Sequence, residues 1–199
     1  MRTLKLSGII LLALGVALIL SCSSDVTSPG NGSLQVYITD APIDFTGVSA
    51  VNVTFSGIVL YPEDDNDAGE VAGSMDLDIS PAVLAHEGTI NLLDYQDGAV
   101  IMVGSADIPA GTYSRIRLLV SEVNLVEDDD GDPETPEVVE PVKLSSGKID
   151  IHFGFTVGDG EEADVILDFD AAESVHINET GSGKYILRPV VNHISTTIL

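Results

Sequence analysis

Aspartates at alternate positions lie in the most acidic stretch of the chain, residues 127–140. Asp128, Asp130 and Asp132 have the spacing of carboxylates that bind Ca²⁺ in a loop, because hard cations prefer several oxygen ligands. The EF-hand pattern then fails, since Pro133 replaces its glycine and Val139 replaces its bidentate glutamate. Two interpretations stay open, a Ca²⁺ loop and an acidic insertion without a bound cation. The sequence favours the second.

A second pair of carboxylates, Asp168 and Asp170, is predicted on one face of a strand, because alternate strand residues share a face. Two carboxylates across a cleft perform the acid–base chemistry of glycoside hydrolysis. The chain has no tryptophan to form a sugar-binding platform. We therefore expect these aspartates to form ion pairs with Arg115, Arg117 or Arg188 on neighbouring strands.

Serine and histidine provide no further catalytic pattern. Ser145 and Lys148 have the S-x-x-K spacing of serine acyl-transfer enzymes, but they precede an alternating strand and lack the companion motifs. The four histidines lack the spacing of metal ligands: His86, His152, His176 and His193. The sequence thus predicts a protein that is not an enzyme and has no cofactor, unless the acidic loop of residues 127–140 binds Ca²⁺.

Cys22 is the residue whose type and position most strongly predict chemistry. It is the only cysteine of the chain, and it follows Ile19-Leu20-Ser21, the aliphatic and small residues of a bacterial lipobox. Before it lie two basic residues and an apolar run, residues 8–20, which is too short to span a membrane comfortably. We expect residues 1–21 to be a signal peptide, and Cys22 to carry lipid that anchors the exported protein to a membrane.

The residues after the predicted anchor indicate its destination. Residues 22–32 are rich in serine and glycine, which predicts a flexible tether. Ser23 and Ser24 are not acidic, and lipoprotein sorting then favours the outer membrane where the source is Gram-negative. The formal net charge of −24 excludes nucleic acid as a partner, because the chain has no basic stripe to neutralise phosphates.

Apolar residues alternate with polar ones from Ser33 onward, which is typical of β-strands. The alternation changes phase at 56–57 and at 121–122, and each change predicts a β-bulge. Only residues 81–87 are compatible with a short helix. Eight or nine strands without regular helices between them predict an all-β fold, a single antiparallel β-sandwich over residues 33–199.

The clearest alternation spans residues 149–157. It predicts a strand that buries Ile151, Phe153 and Phe155 on one face. The residues predicted on its other face are Asp150, His152 and Thr156.

Three stretches together resemble domain-of-unknown-function family 4382, which is often found on lipoproteins of bacteria and archaea. They are residues 34–44, residues 90–120 with the turn Pro109-Ala110-Gly111-Thr112-Tyr113, and residues 165–175 followed by Leu187-Arg188-Pro189-Val190. The turn is also similar to those of transthyretin-like sandwiches. The resemblance implies a β-domain and transfers no activity or site residues.

The functional expectation is a lipid-anchored surface protein of the cell envelope that acts as a non-enzymatic structural, adhesion or interaction module. Its partner would be the membrane, through Cys22, together with a surface protein or a glycan. The alternative is a Ca²⁺-dependent carbohydrate-binding module or a glycan-acting enzyme. It would use the pair Asp168 and Asp170 or the two acidic loops, which are residues 127–140 and residues 63–70 with five carboxylates.

Overall fold

A computed structural model describes residues 30–41, 47–63, 73–127, 137–177 and 185–199. Within these ranges the chain forms twelve β-strands: β1 (Asn31–Thr39), β2 (Val48–Pro62), β3 (Met75–Ile79), β4 (Thr89–Asn91), β5 (Ile101–Pro109), β6 (Gly111–Glu127), β7 (Val138–Leu144), β8 (Lys148–Val157), β9 (Glu162–Phe169), β10 (Val175–Ile177), β11 (Tyr185–Leu187) and β12 (Val191–Ile198). The prediction of an all-β fold is therefore confirmed. The predicted number of eight or nine strands was too low, because the three-residue strands β4, β10 and β11 are too short to show an alternation.

The described helices are short. Helix α1 (Pro81–Leu84) lies inside the predicted segment, and it begins where the Ser80 side chain accepts a hydrogen bond from the Val83 amide. A 3₁₀ helix follows at Leu92–Tyr95. Helix α2 (Ala171–Ser174) was not predicted, because one turn of helix is too short to show a period of 3.6 residues.

The strands form one curled sheet in the order β10-β11-β7-β6-β2-β3-β5-β1-β9-β12, with β4 also paired to β2 and β8 to β6. The pairs β1–β9 and β7–β11 are parallel, whereas the other described pairs are antiparallel. The prediction of a wholly antiparallel sandwich is therefore wrong. Alternation of apolar residues indicates which face of a strand is buried, but it contains no information on the direction of the neighbouring strand.

Two facing bulges bend the long central strands β2 and β6. The register between them shifts around Phe55, where Ser56 and Ser121 each lack an opposite residue. These are the two positions at which the alternation changes phase, so both predicted bulges are confirmed. A bulge increases local twist and bends its strand. The bend helps the inner face of the sheet to enclose the core, in which Val53, Ile116 and Leu118 are almost or completely inaccessible to solvent.

Strand β8 lies close to β12, the last strand of the sheet, without a hydrogen-bonded ladder between them in the described residues. The rings of Phe153 and His193 stack across this gap, with their centroids 4.1 Å apart. Phe153 is consequently half-buried rather than fully buried, which corrects that part of the prediction. Ile151 and Phe155 are buried as predicted, and the residues of the opposite face are exposed as predicted: Asp150, His152 and Thr156.

Candidate functional site

Within a group of five neighbouring strands, β3, β5, β1, β9 and β12, the strands β3, β5 and β9 place acidic residues on the outside of the sheet. Alternate residues of β1 and β9 point inward and are completely buried: Leu34, Val36, Ile38, Ala163, Val165, Leu167 and Phe169. Because side chains alternate along a strand, the residues between them point outward. We call the outward surface of these five strands the acidic face, and its carboxylates are Asp76, Asp78, Asp107, Glu162, Asp164 and Asp168.

The strand register aligns these residues in rows across the sheet. Asp78 of β3 is opposite Ser105 of β5, and Ser105 is opposite Gln35 of β1. Gln35 is in turn opposite Asp164 of β9. A parallel row consists of Asp107, Ser33 and Glu162. Each row thus combines carboxylates with short or neutral side chains.

No lysine or arginine occurs in the five strands of the acidic face. The basic residues of the described ranges all lie on or next to β6, β7, β8 and β11: Arg115, Arg117, Lys143, Lys148 and Arg188. The domain is therefore electrostatically one-sided, with a negative potential concentrated over the acidic face.

An open trough crosses the acidic face between β1 and β5. Its main part has a volume of about 450 Å³ and is bordered by Asp78, Asp107 and Gln35. Ser33 and Ser105 also line it, and their short side chains leave the space above the strands empty. A second depression of about 310 Å³ shares Ser33 and Asp107 with the first and extends it to Glu161. The two depressions lie next to each other, and together we call them the trough.

Two carboxylates of this face carry an oxygen without a hydrogen-bond partner. Asp164 Oδ1 and Asp168 Oδ1 are buried and accept no hydrogen bond in the described residues. Burial raises the pKa of Asp168 above its ordinary value, and the nearby carboxylates Asp170 and Asp40 raise it further. Burial and Glu162 also raise the pKa of Asp164. A backbone hydrogen bond from Ala41 partly opposes the rise of the Asp168 pKa, but the buried Oδ1 of each carboxylate has no donor among the described residues to stabilise its charged form.

We expect Asp168→Asn to stabilise the folded protein by about 1 kcal/mol at neutral pH, because it removes a poorly solvated charge. Since folding raises the Asp168 pKa, the contribution of this group to stability is complete below its unfolded pKa of about 4 and is lost as the pH rises through the folded pKa. The wild type should therefore gain stability on acidification from pH 7 to about pH 5, and Asp168→Asn should gain less.

Urea denaturation of both proteins across this pH range measures the effect. Asp97→Asn is the matched control, because it removes one exposed carboxylate outside the acidic face and asparagine tolerates the positive φ of 56° at this position. If the stability of Asp168→Asn depended on pH in the same way as that of the wild type, Asp168 would not be the group whose raised pKa causes the gain in stability on acidification.

Asp40 is a buried carboxylate that joins three segments at the end of the acidic face. It is only 2% exposed. Its Oδ1 accepts a hydrogen bond from the Ala171 amide at 2.8 Å, and its Oδ2 accepts one from Gln96 Nε2 at 2.9 Å. In the sequence, Asp40-Ala41-Pro42 is typical of a turn, and it does not reveal these partners because they are 131 and 56 residues away along the chain. Burial raises the Asp40 pKa, and these hydrogen bonds oppose that rise.

The pair Asp168 and Asp170 differs from its prediction. Strand β9 ends at Phe169, so Asp170 lies beyond the strand, and its side chain accepts a hydrogen bond from the Glu173 amide as the N-cap of α2. Asp170 is thus engaged in a structural role, and the two residues do not form an alternating strand pair.

Two of the three arginines expected to neutralise those aspartates, Arg115 and Arg117, have another partner. Arg117 binds Asp150 through two hydrogen bonds of 2.7 and 3.0 Å, and Arg115 lies 3.7 Å from the same carboxylate. Both guanidinium groups also lie over the ring of Tyr61. The predicted ion pairs from Arg115 and Arg117 to Asp168 and Asp170 are therefore wrong, since β6 pairs with β8 rather than with β9.

Several predicted residues lie outside the described ranges. These are Cys22, the loop aspartates Asp128, Asp130 and Asp132, and most of the acidic segment that begins at Glu63. Among the described residues, no group of three or more histidine, cysteine, aspartate or glutamate side chains has an arrangement that could hold a metal ion. No helix in the described ranges is long and apolar enough to cross a membrane.

The fold and its surface define a class of protein, a β-rich domain built on one curled mixed sheet with a one-sided acidic face. Comparison of the sequence with known families identifies it further. The family described as a domain of unknown function, DUF4382, matches residues 31–189, and the chain belongs to this family. No curated protein and no solved structure matches the chain.

Proposed function

We propose that this chain is a lipid-anchored interaction module of the bacterial cell envelope that has no catalytic role. The observation that carries the proposal is the acidic face, an open surface with a trough and six carboxylates, whose strands contain no lysine or arginine. A surface of this kind is suited to recognition by charge complementarity, which increases the rate and specificity of association.

The anchoring part of the proposal comes from the sequence. A lipobox precedes Cys22, and the polar segment up to residue 32 would separate the lipid from the first strand. In this proposal residues 1–21 are removed on export, and a Gram-negative source would carry the protein in its outer membrane. The domain of residues 33–199 would then be held at a membrane surface.

The carboxylates that the alternative function requires give it little support. Asp170 is engaged as a helix cap and Asp168 is half-buried, so they are poorly suited to act as an acid–base pair across a cleft. A Ca²⁺-dependent glycan-binding site would depend on the acidic loop with Asp128, Asp130 and Asp132.

A pull-down with the full chain in detergent tests the proposal. We expect an envelope protein to be captured equally with and without a chelator at constant ionic strength. We also expect the melting temperature to be the same in both conditions, because a bound cation would contribute a stabilisation of RT ln(1 + [Ca²⁺]/Kd). The triple variant Asp128→Asn, Asp130→Asn, Asp132→Asn is the matched control.

Two results would contradict the proposal. One is capture of glycan alone by the wild type, if this capture is lost on chelation and is absent in the triple variant. The other is hydrolysis of a glycan by the purified protein.

A further inference from the structure

We propose that the trough of the acidic face binds an extended, lysine- or arginine-rich segment of a partner protein. This inference rests on the proposed function and names the class of partner that such a module would recognise.

The first support is the distribution of charge. The trough is bordered by Asp78, Asp107 and Glu161, and none of its lining residues is basic. On the opposite half of the sheet, Arg117 is already bound to Asp150. The described strands of the acidic face contain no lysine or arginine that could pair with its carboxylates, and a cationic segment would supply that charge. Charge-assisted hydrogen bonds from lysine or arginine to carboxylates are stronger than those between neutral groups.

The second support is the negative charge on β9, the strand next to β1. Glu162 and Asp164 lie beside the β1 residues that line the trough, Ser33 and Gln35. A buried oxygen of Asp164 lacks any donor among the described residues, so its charge is not compensated locally. These two carboxylates extend the negative potential across the neighbouring strand.

The third support is the shape of the trough. It follows β1 from Asn31 to Gln35, a length of about 13 Å at about 3.3 Å per residue, which accommodates roughly four residues of an extended chain. The serines along it, Ser33 and Ser105, leave room for a backbone between the acidic borders. An elongated open trough is a poor site for a single ion, which needs several converging ligands.

Fluorescence anisotropy of a labelled oligolysine peptide, titrated with the full chain in detergent at physiological ionic strength, tests the inference. We expect Asp78→Asn/Asp107→Asn to weaken binding by about tenfold, because both borders of the trough lose their charge. The matched control is Asp97→Asn/Glu122→Gln, which removes two exposed carboxylates that do not line the trough. The control should bind within about twofold of the wild type, since only the net charge changes. Melting curves verify that both variants are folded.

Equal weakening in the two double variants would overturn the inference, because binding would then depend on net charge alone. Absence of oligolysine binding to the wild type would also overturn it. The proposed function is tested separately by the pull-down. An envelope protein that is captured equally by the wild type and the trough variant would refute the inference and leave the interaction module standing.

Discussion

Asp40→Ala is expected to lower the free energy of unfolding by about 2–4 kcal/mol. The substitution removes the acceptor of two hydrogen bonds, from the Ala171 amide and from Gln96 Nε2. Each buried donor left without a partner costs about 1–3 kcal/mol, whereas the relief of a buried negative charge offsets part of the loss. The net effect is large because the three joined segments are the end of β1, the turn after the 3₁₀ helix and the start of α2.

Asp40→Asn is the matched control for this prediction. Its side-chain oxygen can still accept the hydrogen bond from the Ala171 amide, and Gln96 can turn its amide to present an oxygen to the new donor. We therefore expect Asp40→Asn to retain most of the stability that Asp40→Ala loses. Urea denaturation at neutral pH compares the three proteins. Equal stability of the alanine variant and the wild type would show that Asp40 does not join these segments.

Cys22→Ala is expected to abolish attachment to the membrane through lipid. Each buried methylene of a lipid chain contributes about 0.8 kcal/mol to membrane binding, so more than one acyl chain gives stable anchoring. Cys22 is the only cysteine, so no other thiol can accept the lipid. The variant should appear either outside the membrane fraction or as an uncleaved precursor.

Metabolic labelling with a fatty acid, followed by membrane fractionation, measures this outcome. Ser23→Ala is the matched control, because it changes the next residue and keeps the acceptor thiol. Label that persists in Cys22→Ala would refute the lipidation of this residue.

The period of two residues was sufficient to predict the local structure. It indicated the strands, the buried face of β8 and both bulges, because each depends on residues adjacent in sequence. The short helix at Pro81 was also predictable, since proline is favoured in the first turn and Ser80 is a suitable cap.

Contacts between distant parts of the chain could not be predicted in this way. Arg115 and Arg117 have the same alternation whichever strand lies beside them, so the sequence did not reveal that β8 and Asp150 are their neighbours. The acidic face could not be predicted either, because it also depends on contacts between distant strands. Its carboxylates belong to β3, β5 and β9, and they share one surface only because β1 pairs with both β5 and β9.

The parallel pairing of β1 with β9 has a consequence for the synthesis of the protein. Strand β1 is the first described strand to leave the ribosome, but its partner β9 spans Glu162–Phe169 and β12 is later still. One edge of β1 therefore has no partner strand until most of the chain has been made. Pairings between residues so far apart in sequence slow folding, and unpaired edges are prone to aggregation. Until the C-terminal third of the chain is available, the exposed edge of β1 can pair with the wrong strand or with another chain.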